Sequence, residues 1–115
     1  MNYWSNKFAQ LNNKYWKGKL STIKVKVRDL SNEGAEGLYH YPHEDNKALI
    51  EIEKSLPHHH KKNILLHEMC HHAVEELYEE RPYHCHGKLW KEQMRKVGFK
   101  GKIHSTRGRY KTRNY

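Results

Sequence analysis

The chain has no apolar run approaching 18 residues, so no segment of it is expected to span a bilayer. It also lacks a basic start followed by an apolar stretch and a small-residue cleavage site, which points to a cytoplasmic protein rather than a secreted one. Cysteine is scarce. Cys70 and Cys85 are the only two, and although they could pair, reduced thiols are the expected state in a reducing compartment. Leu, Ile, Val and Phe together number 21 of 115 residues, a poverty that with a net charge of +9 would alone indicate disorder. Eight Tyr, three Trp and three Met add apolar area, and the apolar positions are patterned, so one domain with a thin core is expected. A bound metal would reinforce such a core, because ligation free energy can become folding free energy.

Acidic residues are missing from one region in particular. Residues 88–115 hold 10 Lys/Arg against Glu92 alone, whereas residues 1–87 balance 12 against 12. The whole excess charge therefore lies in the last quarter, which suggests an anionic partner: DNA or RNA first, a membrane surface second. Residues 100–115 read as a flexible basic tail behind a domain of residues 1–99. The plain alternative is a solvated tail without a partner.

The patterned part reads as an α+β domain. Trp4, Phe8, Leu11 and Tyr15 recur at helical spacing, and Gly18 stops the pattern. Ile23, Val25 and Val27 alternate with Lys24, Lys26 and Arg28, giving a strand with one buried face and one lysine-rich face suited to a sheet edge. Leu38–Tyr41 reads as a short strand. Ala48–Glu53 reads as a third, Ala48, Ile50 and Ile52 alternating with Leu49, Glu51 and Glu53. A helix follows from about His58 or Lys61 to about Glu79, and a last one over Gly87–Val97, giving a three-stranded antiparallel or mixed sheet with helices around it.

The long helix carries the chemistry. His67-Glu68-Met69-Cys70-His71 is an HExxH pattern; on a helix its two imidazoles share one face and can reach one metal ion, while Glu68, about 100° round, can touch a water on it. A helical projection puts both histidines on the buried side with Ile64, Leu66, Cys70, Val74, Leu77 and Tyr78, and His72, Glu75, Glu76 and Glu79 on a narrow polar side. In a chain with 11 His and 11 Glu the bare pattern is weak evidence, and a catalytic zinc site needs a third protein ligand. Val74 and Leu77 exclude the HExxHxxGxxH arrangement; Glu92 and His86 are the candidates, with Cys85 as a minor competitor. His72 and His84 adjoin ligands but are expected mainly in solvent, as are His58, His59 and His60. Tyr83 and Arg81 are equal candidates to stabilise an oxyanion.

HEMCH, then 14 residues, then His86-Gly87-Lys88-Leu89-Trp90 with Met94 beyond, resembles the SprT-like metalloprotease family. That family reads HEMxH, a spacer, HGxxF or HGxxW, and a helical Met. The likeness extends upstream through LSTIKVKV, Gly-Leu-Tyr and ALIEIEKSL, over about residues 3–98. It implies a zinc-dependent protease with one catalytic Zn2+, His67, His71 and His86 as ligands, and Glu68 as general base. The zinc-ribbon-like cysteines of longer members are absent. The implied substrate is a protein or peptide, in some members one associated with DNA, and Ala48–Glu53 is the expected edge for binding it. The alternative is a non-catalytic zinc-containing protein that binds nucleic acid.

Overall fold

The computed structural model describes residues 3–42, 47–78 and 88–98. Helix α1 (Tyr3–Trp16) turns Phe8, Leu11 and Trp16 into the core and ends where Lys17 and Gly18 take positive φ angles of 54° and 77°. The Asn12 side chain closes the turn that follows: its Nδ2 donates to the Leu20 carbonyl at 2.8 Å, and its Oδ1 accepts from the Leu20 N–H at 3.1 Å. Strands β1 (Lys24–Arg28), β2 (Gly37–His40) and β3 (Leu49–Glu53) come next, then α2 (His58–Tyr78) and α3 (Lys88–Lys96). The expected α+β class and element order hold.

The sheet is mixed, in the order β1-β3-β2, with β1 parallel and β2 antiparallel to β3. This overturns the expectation that the Ala48–Glu53 strand offers an open edge. With Ile50 and Ile52 fully buried, β3 takes the middle, and the lysine-rich β1 takes an edge. Val25 is buried as its alternation predicts, but Val27 on the same face is 36% exposed and lines a groove with Trp4.

The central position of β3 also buries Glu51, on the face opposite Ile50 and Ile52. Arg28 on β1 and His40 on β2 flank it, so the buried carboxylate accepts from Arg28 Nε at 2.7 Å and pairs with His40 Nε2 at 2.7 Å. Burial alone would raise this carboxyl; the bonds from His40 and Arg28 outweigh it and hold the pKa at about 2. A folded-state value below the unfolded one adds stability above the unfolded pKa, near 4.5, and that stability is lost as pH falls towards 2. Glu51→Gln is therefore expected to cost about 2 kcal/mol at neutral pH. The gap to wild type should close between about pH 4.5 and pH 2 in urea melts.

Helix α2 starts on Pro57, whose carbonyl accepts the Lys61 N–H at 2.9 Å. Burial is unbroken from Ile64 to Val74, so the middle of the helix is covered on all sides. Two projected positions change accordingly. His72, expected in solvent, is buried, and Leu77, expected in the core, is exposed past the end of the covered stretch. Among the described residues no helix is long and apolar enough to cross a membrane. The basic tail, residues 100–115, lies outside the described residues.

Candidate active site

His67 and His71 sit one turn apart on α2, with ring centroids 5.8 Å apart and 8% and 3% exposure. The polar residues of the HExxH pattern are thus in the covered part of the helix, where each side chain needs a partner. Trp90 of α3 supplies packing for both: its ring meets His67 edge-on at 4.9 Å and stacks on His71 at 5.2 Å with planes 19° apart. Tyr39 of β2 lies parallel to His71 on another side, at 6.4 Å and 15°. The His71 imidazole is held between two aromatic planes.

Tyr39 is itself anchored. The Ser21 carbonyl, 3.0 Å from His72 Nε2, can only accept, so that nitrogen carries the proton. His72 Nδ1 is then the acceptor for the Tyr39 hydroxyl at 2.9 Å. Burial pushes the His72 pKa down against the opposing pull of the Ser21 carbonyl and Glu76, which favours this neutral tautomer. Glu76 also accepts the Ser21 N–H at 2.8 Å, tying α2 to the loop before β1.

Glu68 is 3% exposed and faces β2 at Gly37. A Cβ on Gly37 would run into Ile64 Cγ2 and come within 2.9 Å of Glu68 Oε2, so only glycine admits this approach of strand to helix. Gly37→Ala is expected to cost about 1–3 kcal/mol in thermal melts. It should also displace the Glu68 carboxylate, lowering any hydrolytic activity by more than the loss of folded protein explains.

The donor set suits zinc. Two imidazoles on one helical face, with His67 Nε2 and a Glu68 oxygen withdrawn from solvent, match the nitrogen ligands and the adjacent base of a catalytic site. Among the described residues no group of three His, Cys, Asp or Glu is close enough to hold a metal. His86 lies outside the described residues, as do Cys85, His84, Tyr83 and Arg81. In sequence His86 stands two residues before α3, the helix whose Trp90 packs on both histidines. Glu92, the competing ligand, is turned to solvent. Cys70 is fully buried, and burial followed by the charge of Glu68 raises its thiol well above the normal range.

His58 and His59 are exposed and His60 half-buried. His58 pairs with the Tyr3 hydroxyl at 3.0 Å, and His60 lies 3.4 Å from Glu36. They do not converge on one point. The supporting parts that the sequence reading missed are Gly37, Tyr39 and His72. Strand alternation contained a signal for the first two, since Gly37 and Tyr39 share the face that meets α2.

The SprT-like family profile matches residues 4–110. Comparison with curated proteins and with solved structures gave no match. With the profile spanning nearly the whole chain, and its HExxH helix at the centre of an α+β fold, the chain belongs to the SprT-like family.

Proposed function

We propose that this chain is a zinc-dependent metallopeptidase in which His67, His71 and His86 hold the metal and Glu68 is the general base. The observation that carries the reading is the buried His67-Glu68-His71 group on α2, braced by Trp90, Tyr39 and Gly37. Zinc, when bound, supplies Lewis acidity that polarises a scissile carbonyl and acidifies water. The Glu68 carboxylate takes a proton from the attacking water and delivers it to the leaving amine nitrogen. Trp90 and Tyr39 keep the His71 ring in one orientation and exclude solvent from it.

A peptide substrate would lie extended along β2. Among the described residues β2 pairs only with β3, leaving its other edge open, and its Gly37 abuts Glu68. Digestion of an unfolded protein in heavy-oxygen water tests the reaction class. Hydrolysis places one heavy oxygen in each new carboxyl terminus, whereas zinc-loaded protein that yields no products supports the non-catalytic alternative.

The basic segment would bring the enzyme to DNA or RNA by counterion release. It carries six Lys/Arg in residues 100–115 and no Asp or Glu. Deleting residues 100–115 is expected to weaken nucleic-acid binding several-fold at low salt and to flatten its salt dependence; unchanged titrations would remove the tail from the account.

A further inference from the structure

The other edge of the sheet is also open, and its chemistry is different. Among the described residues β1 pairs only with β3. The Arg28 carbonyl accepts the Lys54 N–H at 3.0 Å, so the peptide groups of Arg28 face β3. Backbone directions alternate along a strand, so those of Lys24 and Lys26 also face β3, and those of Val25 and Val27 point outward. Two residues thus present N–H and C=O groups to an incoming strand.

Side chains give that edge a specificity. A groove of about 790 Å³ runs between the start of α1 and β1, lined by Trp4 and Ser5 and by Lys24 to Arg28. Val27, 36% exposed, and the half-buried Trp4 form its apolar part. A second groove of about 600 Å³ adjoins it on the lysine side, with Lys24, Lys26 and Lys47 in its lining. Among the described residues neither lining contains a carboxylate. Arg28 is neutralised by Glu51 and Glu33, but among the described residues Lys24 and Lys26 form no ion pair.

We propose that the β1 edge is a docking site for an extended acidic peptide segment of a partner protein, whose main chain pairs with Val25 and Val27. Acidic side chains at alternate positions meet Lys24 and Lys26, and apolar ones at the intervening positions meet Val27 and Trp4. A second copy of this chain is a poor occupant, because edge-to-edge pairing sets lysine against lysine. The chain's own last residues are equally poor, since 99–115 contain no Asp or Glu. Nucleic acid matches the charge but leaves the outward peptide groups and the apolar part of the groove unmatched. The proposal does not depend on peptidase activity, because the strand residues that meet the candidate active site, Gly37 and Tyr39, are on β2, which β3 separates from β1.

The test is fluorescence anisotropy of the full chain with a labelled hexapeptide of alternating Glu and Val. Binding should fall at least about tenfold in a Lys24→Glu/Lys26→Glu double variant that melts like wild type, and the double variant should instead take up the matching Lys-Val peptide. Methylating every second backbone nitrogen of the Glu-Val peptide, in either register, keeps its charge and removes its edge donors. At least one methylated register should lose binding to unchanged wild-type protein, which separates edge pairing from attraction to the basic tail. No binding at millimolar peptide would overturn the proposal. So would binding by both methylated registers as tight as that of the unmethylated peptide, undiminished binding by the double variant, or displacement of the peptide from wild type by an equally charged oligothymidine at lower concentration.

Discussion

Glu68→Gln should leave the fold and the zinc content unchanged and lower peptide hydrolysis by about 10²–10⁴-fold, the usual contribution of a general base. The substitution preserves shape in a place where shape matters: Glu68 is 3% exposed and its carboxylate packs against the Gly37 backbone. An amide cannot take a proton from water, so the loss should appear in kcat with little change in KM. If the metal is structural, the same substitution should alter nothing that the protein does. Circular dichroism and zinc analysis on the same preparation distinguish a chemical loss from a folding loss.

His71→Ala should remove both the metal and the activity, with a deficit larger than the 10–100-fold attached to residues that merely support a ligand. The histidine has two roles that this change separates from the role of Glu68. It is a proposed donor, and its ring fills the space between Trp90 at 5.2 Å and Tyr39 at 6.4 Å. The variant should therefore lose the zinc-dependent rise in melting temperature that wild type shows. Tyr39→Phe keeps the ring and deletes only the hydroxyl that donates to His72, so it should retain zinc with a deficit of no more than about tenfold. Full zinc occupancy in His71→Ala would contradict the ligand assignment.

The parts of this fold that could be read from the sequence are those set by local spacing. Trp4, Phe8 and Leu11 mark α1, Pro57 marks the start of α2, and the i, i+4 relation of His67 and His71 places them on one face. Strand order is a different kind of fact. Alternation assigns Ile50 and Ile52 to a buried face but does not say which strands flank them, and so β3 was expected at an edge when it is the centre. The same gap hid Glu51, whose burial depends on Arg28 and His40 arriving from two other strands. His72 looked like a polar-face residue because its partners, Tyr39 and Ser21, are 33 and 51 residues away. For Gly37, alternation gives the face it shares with Tyr39 but not its function. Its need to be glycine arises only where β2 meets Ile64 and Glu68 of α2.

The most direct test is cleavage of an unfolded protein by chain stripped of metal with a chelator, assayed before and after one equivalent of zinc. The account predicts no cleavage from the stripped chain and restored cleavage on adding zinc, in step with zinc bound at one per chain. Stoichiometric zinc binding with no cleavage, or cleavage that is the same with and without the metal, would contradict it.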